Sequence, residues 1–284
     1  MIALFGSNGY LGSQLKYFFT KRGEKVEGFD LPQSDILDVS FWDNFCPSKY
    51  TAILFFSGLT GTERGFADAV KYTEVNEIGL LHLLMRIAPL GKDAPRIVFP
   101  SSRLVYQGSE QTLPESALTE PKTVYAVNKL ACESLLAAYS NRFGLPYNVA
   151  RICVPYGNLI STEYSYGTIG FFLRQIRERG AIALYGGGEY MRTFTHVEDV
   201  CMAVSVLLEG NRNGIYNIGG TALSLREAAT LIAEKYSAEV LSVAWPGDAL
   251  KIESGSTVFD AGAMSRDFSW SPTHNFEVDI RQMW

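Results

Sequence analysis

The sequence is 284 residues long, with 47% hydrophobic residues, 19% charged residues and a formal net charge of −5. Its length and composition are ordinary for a globular protein with one large domain or two interlocked ones. The acidic balance argues against a nucleic-acid partner, because phosphates require a basic protein face.

Short apolar runs alternate with helical patterns along the first half of the chain. The patterns predict strands at residues 2–5, 25–30, 52–56, 96–100 and 147–152. They predict helices at residues 11–20, 72–88 and 124–143, and the last of these ends at Gly144 with Pro146 beyond it. This alternation predicts an α/β fold with a parallel sheet that is covered on both faces.

Beyond residue 157 the alternation becomes less regular. The patterns there predict a polar and aromatic loop at 161–170, a helix at 171–179, a glycine-rich hairpin at 185–195, a turn at 210–214 and a helix at 225–236. The tail to residue 284 reads as irregular. No Pro/Ser-rich linker separates the halves, so we expect any second domain to be interwoven with the first.

The spacing of the cysteines and the length of the hydrophobic runs indicate the cellular compartment in which the protein is expected. The four cysteines are widely spaced, without a CxxC pair or ligand-spaced histidines, and predict free thiols and no metal site. The first predicted strand begins at residue 2, which leaves no room for a signal peptide. No apolar run approaches the length of a membrane span. We therefore expect a cytoplasmic protein that does not bind membranes.

A glycine-rich segment, GSNGYLG, follows the first predicted strand and begins the first helix. Glycines at these positions allow a tight turn and a close approach to a pyrophosphate, which then lies at the helix N-terminus. The sequence therefore predicts a dinucleotide site. Its candidate residues in this segment are Gly6, Asn8, Gly9, Tyr10, Leu11 and Gly12.

Asp30 is the last residue of the second predicted strand. It lies close to the offset of roughly 20 residues after the glycine segment at which an acidic side chain meets the adenine ribose. A carboxylate there repels the extra phosphate of NADP, and the next basic residue is Lys49. The sequence thus favours NAD over NADP. Asp35 and Ile36 are further candidates, beside the adenine.

Tyr125 and Lys129 lie four residues apart on one predicted helix and hence on the same face. Ser102 follows the strand at 96–100. A neighbouring ammonium group and a positive nicotinamide ring both favour the phenolate form of tyrosine. Tyr125 would then exchange a proton with a substrate hydroxyl while hydride moves, and Ser102 would hydrogen-bond the same oxygen.

These motifs occur in an order that resembles the extended short-chain dehydrogenase/reductase family, in particular its NAD-dependent nucleotide-sugar epimerase/dehydratase group, typified by UDP-galactose 4-epimerase. The matching segments are GSNGYLG, SSRLVY at 101–106, YAVNK at 125–129 and YGGGEYMRTFTHVEDV at 185–200, with FFSG at 55–58, Asn76 and YNIGG at 216–220 as further matches. The resemblance spans nearly the whole chain.

The resemblance implies a Rossmann-type doubly wound parallel sheet at 1–156 plus about 193–218. It also implies a smaller, interwoven C-terminal α/β substrate domain at about 157–192 and 219–284, and a homodimer. It makes Ser102, Tyr125 and Lys129 catalytic. Tyr125 and Lys129 also contact the cofactor in this scheme, together with Ser57, Gly58 and Asn76. Its expected substrate-binding residues are Arg192, which grips the diphosphate, and Arg103 and Tyr156.

Three departures from the family pattern reduce the number of reactions that the resemblance allows. Val154 stands where the family often has asparagine, and Trp245 replaces the arginine of an RPGD-type motif. Two diphosphate contacts are thus missing. Arg103 and Leu104 replace the Asp-Glu pair of nucleotide-sugar 4,6-dehydratases, so no carboxylic acid is placed to expel water, which disfavours a dehydratase.

Three functions remain open. The first is an NAD-dependent nucleotide-sugar epimerase, and the second is a reductase of 4-keto-6-deoxy nucleotide sugars that uses the same catalytic residues. The third is a non-catalytic dinucleotide sensor, which the retained Tyr–Lys pair disfavours. An aromatic group, Tyr164, Tyr166, Phe171 and Phe172, is expected either to line a sugar pocket or to pack within the small domain. His82 and His196 are expected to be structural.

Overall fold

A computed structural model describes residues 1–161 and 166–282. The strands in this part of the chain are β1 Ile2–Phe5, β2 Val26–Phe29, β3 Ala52–Phe55, β4 Arg96–Ser102, β5 Tyr147–Ile152, β6 Val154–Tyr156, β7 Ala181–Tyr185, β8 Met191–His196, β9 Gly214–Asn217, β10 Thr221–Ser224 and β11 Glu239–Val243. The α-helices are α1 Tyr10–Lys21, α2 Val39–Asn44, α3 Thr62–Ala67, α4 Ala69–Thr73, α5 Gly79–Ile87, α6 Val124–Phe143, α7 Gly167–Arg179, α8 Val197–Glu209, α9 Leu225–Tyr236, α10 Gly262–Phe268 and α11 Phe276–Gln282.

The chain divides into two compact units. Unit 1 comprises Met1–Val105, Pro121–Arg151 and Val204–Tyr216, and unit 2 comprises Tyr106–Glu120, Ile152–Ala203 and Asn217–Trp284. Residues 106–120, 152–156, 193–203 and 217–218 thus lie in unit 2, whereas the sequence assigned all four ranges to the first domain. Backbone pairing explains the first difference, because Ser109 N–H donates to the Ser256 carbonyl and Leu113 bridges to Phe259.

Unit 1 is built on a six-stranded sheet in the order β2-β1-β3-β4-β5-β9. Strands β1 to β4 are parallel to one another. Every residue of β1 and β3 is buried, as expected for strands covered on both faces. At the centre of the core, the Phe5 ring stacks on Phe29 and Trp42 at 4.8 and 5.3 Å. The predicted doubly wound parallel sheet is confirmed.

The helix that carries Tyr125 and Lys129 has well-defined ends. The Thr123 hydroxyl accepts a hydrogen bond from the Ala126 N–H at 3.1 Å and so caps the start of α6. Gly144 ends the helix in the left-handed conformation, with φ of 77°. These signals define where α6 begins and ends, and the structure confirms the predicted bounds of 124–143.

Unit 2 contains two smaller sheets. In the first, β8 lies between β10, which is antiparallel to it, and β6, which is parallel to it. In the second, β7 pairs with β11 in parallel. The expected hairpin at 185–195 is therefore wrong, since β7 and β8 pair with different strands. The expectation of an irregular tail is also wrong, because the tail contains β11, α10 and α11.

Two further features concern the whole described chain. Cys132, Cys153 and Cys201 are buried free thiols, and Cys46 is a half-buried one. Among the described residues, no helix combines the length and the apolar character needed to cross a membrane.

Candidate active site

Four segments that carry predicted site residues begin where parallel strands of unit 1 end. The glycine segment follows β1, Asp30 follows β2, Phe56 and Ser57 follow β3, and Ser102 is the last residue of β4. Because β1 to β4 run in the same direction, their C-terminal ends meet at one edge of the sheet. The sheet therefore brings these four segments to this edge.

The turn after β1 requires glycine at two positions. Gly6 has a φ of +79°, and a Cβ atom there would lie 2.6 Å from the backbone of Phe56 and Ser57. A Cβ atom on Gly12 would lie 1.9 Å from the Gly6 carbonyl oxygen. Gly9 precedes α1 and brings no side chain to its first turn. The backbone at the start of α1 is thus left open to an approaching group.

A cavity of about 370 Å³ lies beside this turn. Eight of its lining residues are predicted cofactor-binding residues: Gly6, Asn8, Gly9, Asp30, Asp35, Ile36, Ser57 and Gly58. The sequence analysis did not identify five others: Leu31, Ser34, Phe56, Leu59 and Val75. All five directly neighbour a predicted residue in the sequence, so the segments after β2 and β3 and the residue before Asn76 were the signal that could have found them.

Asp30 is held at the cavity by two backbone groups. Its Oδ2 accepts a hydrogen bond from the Asn8 N–H at 2.7 Å, and its Oδ1 accepts one from the Leu31 N–H at 2.9 Å. A fixed carboxylate at this position suits ribose hydroxyls and opposes a phosphate.

Asn76 lies behind the cavity wall and supports it. Its Oδ1 accepts from the Leu59 N–H at 2.7 Å, and its Nδ2 donates to the Leu59 carbonyl at 3.1 Å. The residue lies in a π-helical turn, Glu74–Ile78, and its own carbonyl accepts from the Cys132 thiol at 3.1 Å. In this arrangement Asn76 positions the segment that contains Gly58. A direct contact with cofactor stays a prediction, as it does for Tyr10, Leu11 and Gly12, which do not line the cavity.

The structure brings Tyr125 and Lys129 together. The Lys129 ammonium lies 5.7 Å from the centre of the Tyr125 ring, 4.4 Å from that of Phe99, and donates to the Pro100 carbonyl at 2.7 Å. The last two residues belong to β4, whose final residue, Ser102, accepts from the Leu104 N–H at 3.2 Å. The aromatic partner Phe99 was not predicted, because an alternating strand gives no sign of which ring will meet a cation.

Burial lowers the pKa of Lys129 to about 8, while Cys132 and Glu133 act in the opposite direction. The side chain therefore still carries its charge at neutral pH. Glu133 itself forms a buried bidentate pair with Arg151, with Nε to Oε1 at 2.9 Å. Its negative charge is thus largely balanced by arginine, which leaves the Lys129 charge available to Tyr125.

The three predicted substrate-binding residues differ in their settings. Arg103 is half-buried in a short 3₁₀ turn after β4, in unit 1. Tyr156, in unit 2, is 1% exposed, and its hydroxyl donates to Asp279 Oδ2 at 2.6 Å. Arg192, also in unit 2, is 1% exposed and forms an ion pair with Glu253 at 2.7 Å. The hydroxyl of Tyr156 and the guanidinium of Arg192 are thus engaged within unit 2, and substrate contacts stay predictions for all three.

The aromatic residues of unit 2 fall into two groups. Phe172 is buried, whereas Tyr166 and Phe171 are 38% and 40% exposed, and Tyr164 lies outside the described residues. Trp245 is half-buried and packs against Tyr185 at 5.6 Å.

His196 caps the start of α8, since its Nδ1 accepts from the Glu198 N–H at 3.2 Å. Its ring stacks on His274 at 3.8 Å and 22°, and His274 contacts Asp279 at 3.2 Å. These two imidazoles and the Asp279 carboxylate offer ligand atoms within 4.8 Å of one another. However, stacked rings direct their in-plane lone pairs side by side, so one ion cannot bind both without rotation of a ring. His82, in α5, contacts the Ile36 carbonyl at 3.0 Å.

Comparison with known proteins places this geometry in context. The sequence model of the NAD dependent epimerase/dehydratase family matches residues 2–219. A dTDP-L-rhamnose 4-epimerase from Burkholderia thailandensis is 30% identical over 252 residues, which cover 75% of this chain and 69% of that enzyme. GDP-6-deoxy-D-mannose reductase from Pseudomonas aeruginosa is 25% identical, with 98% of this chain and 92% of the reductase covered.

Solved structures show the same fold. The dTDP-glucose 4,6-dehydratase DesIV from Streptomyces venezuelae, determined with NAD bound, superposes with a TM-score of 0.87 at 23% identity. The superposition covers 99% of this chain and 95% of DesIV.

Proposed function

Since the chain belongs to the NAD dependent epimerase/dehydratase family, we propose that it is an epimerase of nucleotide-diphosphate sugars that works through a transient keto intermediate. The observation that carries the proposal is the position of the buried Lys129 ammonium beside the Tyr125 ring, at the end of the strand that ends in Ser102. An acid/base group, a cation and a hydroxyl are what proton exchange at a sugar hydroxyl requires.

The residues of unit 1 suit NAD as the cofactor. The turn at Gly6 and Gly12 has no space for side chains, so a pyrophosphate can approach the backbone at the start of α1. Asp30 would hold the adenine ribose and disfavour NADP. NAD held by these residues would supply the hydride acceptor of the reaction and the hydride for its return.

Each catalytic side chain has a distinct role in this proposal. Tyr125 removes the proton of the substrate hydroxyl and later returns it to the same oxygen. Lys129 stabilises the phenolate through its positive charge, which a water-excluded position strengthens. Ser102 donates a hydrogen bond to the reacting oxygen.

A second candidate is a reductase of a 4-keto-6-deoxy nucleotide sugar. It is favoured by the GDP-6-deoxy-D-mannose reductase, which aligns with nearly the whole chain. The absorbance of the purified protein in the reduced-nicotinamide band distinguishes the two. Dinucleotide retained through purification supports the epimerase, whereas free exchange with added NADPH supports the reductase.

The test of the catalytic role is Tyr125→Phe. We expect this change to lower kcat by about 10²–10⁴-fold, because it removes the general acid/base. The affinity for NAD should remain nearly unchanged. Tyr139→Phe on the same helix is the matched control and should leave kcat unchanged. Turnover of Tyr125→Phe at the wild-type rate would overturn the mechanism.

We further propose that the protein is a homodimer joined through α6. Helices α3 and α4 pack on α6, and the three present exposed apolar side chains: Phe66 (51%), Val70 (75%) and Val127 (48%). Val70→Asp combined with Val127→Asp should halve the mass measured by analytical ultracentrifugation. An unchanged mass would refute this interface.

We also propose a cytoplasmic location. Three buried free thiols, Cys132, Cys153 and Cys201, suit a reducing compartment.

A further inference from the structure

The Arg192 guanidinium of unit 2 is enclosed by acceptors from the protein itself. Its Nη1 donates to the Met191 carbonyl at 2.9 Å and to the Gly255 carbonyl, and its Nη2 donates to Glu253 Oε1 at 2.7 Å. The Arg192 side chain is 1% exposed, against 15% for that of Glu253. An anion that approaches this pair from solvent therefore meets the carboxylate before it meets the guanidinium.

The backbone that follows Glu253 is fixed in place. The Ser109 N–H donates to the Ser256 carbonyl and the Thr257 N–H to the Met191 carbonyl, both at 2.9 Å. The Ser254 carbonyl lies so close to Gly108 that a Cβ atom there would be 1.8 Å from it. The segment from Ser254 to Thr257 thus cannot move without breaking these contacts.

The side chain of Glu253 differs from this backbone in its access to solvent. It is part-exposed, and on its N-terminal side the chain forms a short 3₁₀ turn, Ala249–Ile252, in which Leu250 is 49% exposed. Rotation of the Glu253 side chain would uncover Arg192 while the segment behind it stays in place.

A guanidinium fork binds carboxylate and phosphate oxygens with the same geometry. Two anions at one guanidinium repel each other, so a phosphate can bind Arg192 only when the Glu253 carboxylate turns away. We propose that Glu253 is a specificity-determining residue that competes with the diphosphate of the substrate for Arg192 and so lowers the affinity for nucleoside diphosphates. This inference rests on the proposed function and on the role of diphosphate ligand that the family resemblance implies for Arg192.

The test is Glu253→Gln in the full chain, with UDP, dTDP and GDP as probes in isothermal titration calorimetry. The amide keeps an oxygen that can accept from Arg192 and from the Gly255 N–H, which now donates to Glu253 at 3.1 Å, but it removes the competing charge. We expect at least one of the three diphosphates to bind tenfold tighter or more. In the double variant with Arg192→Gln, this gain should disappear.

Glu277→Gln is the matched control, because Glu277 forms an exposed ion pair with Arg281 in the same unit. It should leave all three affinities unchanged. If Glu253→Gln does not fold, Glu253→Asp serves instead, since the shorter side chain weakens the contact with Arg192 and should give a smaller gain.

Equal affinities in wild type and Glu253→Gln, including no binding to either, would overturn the inference. A gain that persists after removal of Arg192 would overturn it as well. Equal measurable affinities, or a gain that persists without Arg192, leave the proposed function intact, because retained NAD and Tyr125→Phe test it separately. Absence of binding of all three diphosphates to wild type would also count against a nucleotide-diphosphate substrate.

Discussion

Lys129 in unit 1 and Arg192 in unit 2 are both long cationic side chains that are almost fully removed from solvent. Arg192 forms an ion pair with Glu253. In the part of the chain that the structure describes, Lys129 has no carboxylate partner of this kind, and its ammonium is met by one carbonyl and two rings. Burial lowers the pKa of Lys129 to about 8.

The difference shows that a buried cation can either stabilise the folded protein, as Arg192 does, or destabilise it, as Lys129 does. A paired buried guanidinium is neutralised locally and joins the segments that supply its acceptors. A buried ammonium without a carboxylate is costly to hold, and its charge remains available to a neighbouring group. The same substitution should therefore have opposite effects on stability at the two positions.

The largest expected effect is that of Lys129→Met on turnover. Loss of the charge beside Tyr125 should lower kcat by about 10²–10⁴-fold. The folded protein should become more stable, because a fall in pKa from 10.5 to about 8 corresponds to a burial cost of roughly 3 kcal/mol near neutral pH. Urea unfolding at pH 7 and at pH 10 tests this, since the gain should shrink as pH rises from about 8 to 10.5, where the folded wild type has lost the proton. A variant that is less stable than wild type at pH 7 would contradict the comparison.

Arg192→Met should have the opposite effect on stability. Removal of Arg192 takes the guanidinium away from Glu253 and from the carbonyls of Met191 and Gly255, and breaking a buried pair costs about 3–5 kcal/mol. Glu253 keeps the Gly255 N–H and the Met191 carbonyl keeps the Thr257 N–H, which reduces the loss. The partial exposure of Glu253 favours the lower end of this range. Arg226→Met is the control, because the Arg226–Glu189 pair is exposed and should contribute less than about 1 kcal/mol. Equal losses in the two variants, by chemical denaturation, would show that burial does not distinguish the pairs.

His196 is a third buried basic side chain, and it differs from Lys129 and Arg192 because burial favours its neutral form. Burial, and then the nearby His274, lower the pKa of His196 to about 4, against opposing effects of Asp279, Asp199 and Glu198. The unfolded chain thus binds more protons between pH 6.5 and about 4, and the free energy of unfolding should fall as pH drops through this range, by roughly 3 kcal/mol at most. His196→Asn retains a cap acceptor for α8 and should lose this part of the acid sensitivity. Identical denaturation curves for the two proteins at pH 7.5 and pH 4.5 would contradict the assignment.

The parts of the fold that the sequence predicts well are those with local signals. The start and end of α6 follow from Thr123, Gly144 and Pro146, which act on neighbouring residues. Strand β11 gives no such signal, since it is five residues long, mostly exposed, and becomes a strand by pairing with β7. The hairpin expected at 185–195 fails for the same reason, because partners distant in sequence decide the pairing.

The residues of the candidate site also differ in whether a local sequence signal predicts them. The glycine segment directly follows a strand, and Tyr125 and Lys129 are four residues apart on one helix. The sequence therefore predicts the turn and the shared helix face. The pairing of Arg192 with Glu253 spans 61 positions and leaves no spacing pattern. The family resemblance makes Arg192 a ligand of phosphate, but only the structure reveals the carboxylate that occupies its guanidinium.

The smallest expected effect distinguishes two adjacent serines at the end of β4. Ser102→Ala removes the hydroxyl proposed to bind the reacting oxygen, and loss of a hydrogen bond to a charged group, about 1.5–3 kcal/mol, should lower kcat roughly 10–100-fold. The Ser101 hydroxyl is buried and has no hydrogen-bond partner within residues 1–161 and 166–282. Ser101→Ala thus removes an unsatisfied group and should leave kcat within about twofold while stability is kept or rises. Steady-state kinetics and thermal unfolding of both variants test the pair. If Ser101→Ala lowers kcat as much as Ser102→Ala does, the loss reports a disturbed strand end beside Lys129, and Ser102 has no separate role.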